Sequence, residues 1–183
     1  MNFIETELEG AFIIEPNVFC DDRGYFFESY NEKAFCDAGI TNKFVQDNQS
    51  YSSYGVIRGL HFQKGDSAQA KLLRVLDGKV LDVVVDIRKN SPTFGKHISV
   101  ELSSENKCQL FIPRGFAHGF SVLSETVVFF YKCDNFYNKV GEGGIIYNDP
   151  DLGIDWGIPK DKVIVADKDL KLGGLRDVVG YGE

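Results

Sequence analysis

Short apolar segments follow one another closely along the chain, with turn residues between them. Many are rich in Val, Ile, Phe and Tyr, which fit a pleated, half-buried surface. The ten strands that this pattern predicts are residues 11–14, 25–30, 44–54, 56–63, 71–76, 80–87, 98–102, 109–112, 119–123 and 127–133. Strands this short, with turns about every 8–12 residues, are typical of a β-sandwich or barrel. We therefore predict an all-β fold.

Residues 80–87 show the clearest alternation of side chains between two faces. The first face holds Val80, Asp82, Val84 and Asp86, and the second holds Leu81, Val83, Val85 and Ile87. Polar residues thus interrupt otherwise apolar strands, which predicts a ligand cavity inside the sandwich. The pair Asp77-Gly78 between two such segments predicts a two-residue β-hairpin.

Helix signals are few. Asn31 is a good N-cap for a helix over residues 32–38, and Gly39 is placed to end it. Residues 160–175 are expected to form a short helix or a packed loop. The glycine-rich segment 141–144 lacks a following helix pattern, so we interpret it as a turn.

Length and composition narrow the class of protein. The chain has 183 residues, of which 43% are hydrophobic and 13% aromatic, so we expect one globular domain over residues 1–183. The net charge of −7 argues against non-specific nucleic-acid binding, and an anionic ligand would need a local basic pocket. The N-terminus carries acid where a signal peptide needs base, and no apolar segment is long enough to span a membrane. We therefore expect a cytoplasmic protein whose four cysteines are reduced and mostly packed in the core.

Two of only three histidines lie in compact, glycine-punctuated segments, Arg58-Gly59-Leu60-His61 and Pro113-x-Gly115-x-x-His118. The second segment resembles half of the cupin metal motif. The further ligands of that motif are missing, because position 63 is Gln and the third histidine, His97, falls in a predicted edge strand where we expect it to be exposed. His61 and His118 alone lack the additional ligands that a metal needs. We therefore predict no metal site.

Acid–base chemistry is what these residues can supply. The chain has no nucleophile elbow, Walker loop or dinucleotide-binding fingerprint. Histidine is the side chain best suited to proton transfer near neutral pH, given a carboxylate to orient it. A tyrosine phenol is a suitable acid because it is neutral at pH 7. Tyr131 is one candidate among eight tyrosines, and composition alone does not distinguish it.

Many longer segments, in order, resemble those of the dTDP-4-dehydrorhamnose 3,5-epimerases, from about Phe12 to Leu175. The matching segments are 23–28, 46–50, 56–63, 69–75, 82–88, 91–95, 118–120, 131–132, 148–156 and 167–169. The resemblance implies a cupin-type jelly roll with a few short helices, and a homodimer. It also implies epimerisation of dTDP-4-dehydro-6-deoxy-D-glucose at sugar positions 3 and 5, without metal or cofactor, on the route to L-rhamnose in cell-surface polysaccharide. The product would be dTDP-4-dehydro-L-rhamnose.

The same resemblance implies a role for each site residue. His61 would be the base, Asp169 its orienting partner, Tyr131 the acid, and Lys71 the cation that stabilises the enolate oxygen. The expected substrate-binding residues are Arg23, Glu28, Gln46, Asn48, Arg58, His118, Phe136, Glu142 and Lys168. Arg23 and Arg58 would contact the diphosphate, whereas Glu28, Gln46 and Asn48 would surround the thymidine. Phe136 would stack on the base.

The family resemblance also implies a shared active site. Arg23 and Glu28 lie in the N-terminal region that, in the family, crosses to the other subunit. Three alternatives stay open from sequence. The first is an epimerase of position 3 or position 5 alone, or one that uses another nucleotide. The second is a metal-dependent cupin enzyme, and the third is a non-catalytic sugar-nucleotide binder.

Overall fold

The computed structural model describes residues 1–178, so the last five residues of the predicted domain lie outside the described part. These residues form fourteen β-strands and one short α-helix. The strands are β1 (Asn2–Glu5), β2 (Phe12–Glu15), β3 (Phe19–Asp21), β4 (Gly24–Phe26), β5 (Gln46–Ser53), β6 (Val56–Gln63), β7 (Lys71–Asp77), β8 (Lys79–Asp86), β9 (His97–Ser103), β10 (Gln109–Ile112), β11 (Phe116–Val122), β12 (Thr126–Cys133), β13 (Glu142–Gly144) and β14 (Ile164–Val165). The helix α1 spans Glu32–Asp37.

Two large sheets face each other. The first sheet has the order β1-β2-β10-β7-β12-β5, and the second has the order β13-β6-β11-β8-β9, with β14 added parallel to β6. Consecutive strands often belong to different sheets, as β5 and β6 do, so the chain crosses repeatedly from one sheet to the other. This is the sandwich that the sequence predicts, and the all-β jelly-roll prediction is confirmed.

Apolar side chains fill three clusters around the sheets. The cluster between the sheets includes Leu73, Val84 and Phe129, all fully buried. A second cluster lies on the outer face of the second sheet, where the C-terminal segment covers it with residues such as Trp156. A third cluster packs Phe35 of α1 on the first sheet. Because both faces of the second sheet are covered, β8 is buried along most of its length.

Several local predictions are confirmed. The Asn31 side chain accepts a hydrogen bond from the Ala34 backbone N–H, and the helix ends before Gly39, whose φ is +88°. Nine of the ten predicted strands coincide with strands of the structure to within about three residues at each end. The exception is 25–30, because strand pairing stops at Phe26. The predicted cavity is present and is described below.

Other local predictions are wrong. Asp77-Gly78 is a turn, with Gly78 at φ +83°, but β7 and β8 belong to opposite sheets and form no hairpin. The segment 141–144 is mostly strand: Glu142, Gly143 and Gly144 pair with Gln63, Phe62 and His61 of β6. A side chain at Gly143 would meet the Phe62 ring at 2.6 Å, which explains why glycine permits this pairing.

Of the two alternatives predicted for residues 160–175, the packed loop is the nearer one, because the segment contains single 3₁₀ turns and the short strand β14 and no α-helix. The cysteines differ from expectation. All four cysteines are free thiols, but only Cys133 is buried, and Cys20 and Cys36 are exposed. His97, expected to be exposed, is half-buried on the edge strand β9. Among the described helices, none is long and apolar enough to cross a membrane.

Candidate active site

A cavity of about 630 Å³ opens between the two sheets. Strands β5, β7 and β12 of the first sheet and β6 and β11 of the second sheet supply its walls, and the segment 164–169 closes one side. Nine of the thirteen predicted site residues line it. They are Asn48, Arg58, His61, Lys71, His118, Tyr131, Glu142, Lys168 and Asp169.

His61 and Asp169 form the central pair. The His61 Nε2 lies 2.9 Å from the Asp169 Oδ1, although 108 residues separate them in sequence. A 3₁₀ turn over Asp169–Lys171 presents this carboxylate, whose side chain is only 5% exposed, to β6. Because a carboxylate accepts the proton on Nε2, Nδ1 is left as the nitrogen that can take up a proton.

The surroundings of His61 favour the neutral imidazole. Burial lowers the pKa of His61 below its ordinary value, and the charges of Lys71 and Lys168 act in the same direction. The hydrogen bond and the charge of Asp169 oppose this shift without cancelling it. At neutral pH the ring is therefore available as a general base.

Tyr131 and Lys71 face His61 from the opposite sheet. Burial raises the pKa of the Tyr131 phenol, so this side chain keeps its proton and can act as an acid. The Lys71 Nζ lies 5.9 Å from the centre of the Tyr131 ring. Protein atoms surround Lys71 closely, so burial lowers its pKa, whereas Cys133 and Asp82 act to raise it.

His118 forms a second imidazole–carboxylate pair beside the first. His118 of β11 is the direct cross-strand partner of His61 on β6. Its Nε2 lies 2.9 Å from the Oδ2 of Asp82, whose side chain is completely buried. Asp82 is a site residue that we missed from sequence, although its position among valines on the inner face of β8 was a usable signal.

Charged and polar side chains surround the remaining walls. The Arg58 Nε donates a 3.0 Å hydrogen bond to the Ser52 Oγ, which fixes the guanidinium beside β5. The Lys168 Nζ lies 3.2 Å from the Glu142 Oε1. Burial would raise the pKa of Glu142, but hydrogen bonds from Lys168 and Tyr137 outweigh it, and the pKa lies below its ordinary value.

Tyr137, and not Phe136, contributes an aromatic ring to the cavity wall. The Tyr137 backbone N–H donates to the Gln46 Oε1, and its hydroxyl donates to the Glu142 Oε2, both at 3.0 Å. These two bonds hold Tyr137 in place, whereas the neighbouring Phe136 is 66% exposed. Phe136, which the family resemblance assigns to the base, thus lies outside the cavity wall of this chain, in a segment that is not a regular strand.

Gln46 does not line the cavity, but it contacts two residues that do. Its Nε2 donates to the Asn48 Oδ1 at 3.1 Å, and Asn48 itself lines the cavity. Gln46 therefore connects Asn48 to Tyr137 through its side-chain amide.

Arg23 and Glu28 lie apart from the other predicted site residues. Arg23 is in the turn of the β3–β4 hairpin, where it pairs with Asp21 and its side chain is 90% exposed. Glu28 accepts hydrogen bonds from the Asn31 side chain. Neither residue lines the cavity of this chain.

The described residues offer no clustered metal ligands. Across residues 1–178, no group of three or more His, Cys, Asp or Glu side chains could hold a metal ion. In both cavity histidines the Nε2 atom instead forms a hydrogen bond with a carboxylate.

The fold and site define a class of protein, an acid–base enzyme built on a jelly roll. The family model described as dTDP-4-dehydrorhamnose 3,5-epimerase matches residues 5–177. A protein of that name from Shigella flexneri is 53% identical over 171 residues, which is 93% of each chain. The chain therefore belongs to the dTDP-4-dehydrorhamnose 3,5-epimerase family.

Solved structures agree with this assignment. A dTDP-4-dehydrorhamnose 3,5-epimerase from Elizabethkingia anophelis is 58% identical with a TM-score of 0.94, over 97% of this chain and 98% of that one. A dTDP-6-deoxy-D-glucose-3,5-epimerase from Legionella pneumophila, solved in complex with dTDP-4-keto-L-rhamnose, is 48% identical with a TM-score of 0.93. That match covers 97% of this chain and 94% of the other.

Proposed function

We propose that this chain is an isomerase that epimerises dTDP-4-dehydro-6-deoxy-D-glucose at sugar positions 3 and 5, giving dTDP-4-dehydro-L-rhamnose. One observation carries the proposal: a base paired with a carboxylate, His61, and a neutral phenol, Tyr131, reach into one cavity from opposite sheets. The names of the relatives and the ligand of the Legionella structure support the choice of substrate.

The substrate's keto group explains how this geometry produces inversion. The carbons at positions 3 and 5 both neighbour the 4-keto carbon. Their C–H bonds are therefore acidic, because loss of the proton leaves an anion that is stabilised as an enolate. His61 Nδ1 takes the proton, the electrons of the C–H bond form a C=C bond to the carbonyl carbon, and the carbonyl π electrons move to the oxygen, where the Lys71 ammonium stabilises the charge. When the carbonyl re-forms, Tyr131 delivers a proton to the opposite face of the carbon. The centre is thereby inverted, and the two side chains recover their protonation states through solvent.

The cavity suits a nucleotide-linked sugar in size and charge. Its volume of about 630 Å³ lies in the range of small-molecule sites. Arg58 and Lys168 supply cations for the diphosphate within a protein whose net charge is −7. Asn48 offers an amide and Tyr137 a flat ring for the base. No step of this mechanism requires a metal or a cofactor.

The proposal includes a homodimer in which Arg23 and Glu28 serve the partner's cavity. The β3–β4 hairpin exposes Phe19, Tyr25 and Phe26, each by more than half. Exposed aromatic clusters of this kind are typical of surfaces that another protein covers. Arg23, in the turn of the same hairpin, has an exposed cationic side chain that does not line the cavity described above.

Deuterium incorporation tests the proposed function directly. Proton NMR of dTDP-4-dehydro-6-deoxy-D-glucose with the protein in deuterated water, with an NADPH-dependent reductase to trap product, should show deuterium at positions 3 and 5 and formation of dTDP-L-rhamnose. Deuterium at one position would instead identify an epimerase of that position alone. Binding without exchange would identify a sugar-nucleotide binder.

His61→Asn provides the matched variant for that experiment. It removes the base, so exchange at both positions should fall by about 10²–10⁴ while the fold persists. His97→Asn is the control, because His97 lies on β9 and outside the cavity. Exchange in His61→Asn equal to that in His97→Asn would contradict the assigned base.

A further inference from the structure

Gln63 is a buried polar residue of the cavity that the proposed mechanism does not use. It follows His61 by two residues on β6, where pairing with β13 is regular, and both residues line the cavity. Side chains two residues apart on a strand lie on one face, about 7 Å from each other. Only 7% of Gln63 is exposed. A polar side chain buried this deeply is costly unless its amide finds hydrogen-bond partners.

The oxygen end of the Gln63 amide already has a partner. The Oε1 accepts a 3.2 Å hydrogen bond from the Asn138 backbone N–H. Because a backbone N–H can only donate, this bond fixes which end of the amide is the oxygen. The other end is therefore the Nε2, which carries two N–H donors.

The nitrogen end has no protein partner. Among residues 1–178, no group accepts a hydrogen bond from the Gln63 Nε2. The buried side-chain atoms that are both enclosed and without a partner in this part of the chain are Ser50 Oγ and Asp82 Oδ1, so protein does not enclose the Gln63 Nε2. Since Gln63 lines the cavity, the open side of its amide is the cavity.

The carboxylate across the strands does not use this donor. Glu142 on β13 is the direct cross-strand partner of Gln63. Its Oε1 lies 3.2 Å from the Lys168 Nζ, and its Oε2 accepts from the Tyr137 hydroxyl. The Gln63 donors are thus left for a molecule in the cavity.

We propose that Gln63 is a substrate-binding residue whose Nε2 donates a hydrogen bond to a hydroxyl oxygen of the sugar. This inference rests on the proposed function, because it adds a specificity contact to that site. The sugar is the part of the substrate that must lie beside His61, the proposed base, which shares a strand face with Gln63. The keto oxygen is the proposed partner of Lys71 on the opposite sheet, so the hydroxyls are left for Gln63.

Two variants separate substrate binding from anchoring of the loop. Gln63→Glu keeps an oxygen for the Asn138 N–H and replaces the donor by an acceptor, whereas Gln63→Met removes both. Isothermal titration gives the Kd of dTDP and of dTDP-6-deoxy-D-glucose, in which a hydroxyl replaces the keto group so that no enolate forms. In both variants the affinity for the sugar nucleotide, relative to that for dTDP, should fall about 3–10-fold, the contribution of one hydrogen bond.

Gln69→Glu is the matched control. Gln69 also lines the cavity, and its Nε2 donates a 2.8 Å hydrogen bond to the Asn135 backbone carbonyl, in the same loop. The variant places the same charge in the cavity and loses a bond to the loop, but it leaves the Gln63 donor intact. It should therefore weaken both ligands together and leave the ratio of the two affinities unchanged.

Three results would overturn the inference. A wild-type ratio in Gln63→Glu would show that Gln63 only anchors the loop. An equal loss for both ligands would assign its donor to the nucleotide, and an equal change of ratio in Gln69→Glu would assign the effect to charge. Melting temperatures show whether each variant is folded, and if Gln63→Met is not, Gln63→Glu retains the anchor and decides the question.

The wild type is measured first, by the deuterium experiment described above. No exchange in the wild type would refute the proposed function itself. An active wild type isolates the question of Gln63, because every later comparison is then made within a functioning site.

Discussion

At the residue scale, two similar imidazole–carboxylate pairs have different surroundings. His61 and His118 are cross-strand partners, and each places its Nε2 at 2.9 Å from a carboxylate oxygen. The His61 side chain is 29% exposed, whereas that of His118 is 8% exposed. Since both line one cavity, the more accessible His61 is better placed to exchange protons with a substrate, and His118 is better placed to be held rigidly.

Asp169→Asn should change both the rate and its pH dependence. Burial lowers the pKa of His61, and Asp169 opposes that shift, so removing its charge lowers this pKa further. The acid limb of kcat/KM, where His61 becomes protonated and inactive, should therefore move to lower pH. The rate at neutral pH should fall by about 10²–10⁴, because the amide no longer selects the useful tautomer. A pH–rate series measures both effects, and an acid limb that moves upward would argue against His61 as the base.

Tyr131→Phe separates proton removal from proton delivery. The variant keeps the ring and loses the phenolic hydroxyl, so His61 can still remove a proton while the opposite face lacks its acid. Product formation should fall by about 10²–10⁴, and exchange of substrate protons with deuterated water should fall less. NMR follows both in one sample. Tyr147→Phe, on the outer core and away from the cavity, is the control. A parallel loss of exchange and product would assign Tyr131 another role.

At the element scale, the sequence predicted strands better than it predicted their partners. Short apolar segments located β6, β7, β8 and β12, which carry His61, Lys71, Asp82 and Tyr131, and β8 showed the clearest alternation. The turn at Asp77-Gly78 was also correct, but local rules cannot tell whether the next strand pairs with the previous one or crosses to the other sheet. That choice depends on long-range packing of apolar faces.

The elements that close the cavity carried the weakest sequence signal. Strand β13 has three residues, two of them glycines, and β14 has two residues, so neither shows an apolar period. Yet β13 brings Glu142 to the cavity wall, and the segment after β14 brings Lys168 and Asp169. Their placement follows from pairing with β6, and it was the family resemblance, not the local pattern, that pointed to these residues.

At the scale of the whole molecule, the predicted site residues divide into those that line the cavity of one chain and those that do not. His61, Tyr131 and Lys71, the proposed base, acid and enolate-stabilising cation, all line a single cavity. Arg23 and Glu28 lie on or next to an exposed aromatic hairpin instead. If a second copy covers this hairpin, each cavity gains a cation from its partner, in keeping with the symmetry of homodimers. Subunit exchange can therefore test an arrangement that concerns two chains.

Mixing two impaired variants should restore activity if the hairpin crosses between subunits. Arg23→Ala weakens diphosphate binding at the partner's site, whereas His61→Asn removes the base from its own site. In a mixed dimer one site then carries both defects and the other carries none. After dissociation and random reassociation, about a quarter of all sites should be intact, and turnover at low substrate concentration should rise toward that fraction of wild-type turnover.

The control for this mixing experiment is each variant taken through the same procedure alone, which should gain no activity. If the mixture is no more active than the average of the two variants, Arg23 acts within its own chain or not at all, and the cavity described here is sufficient without a partner.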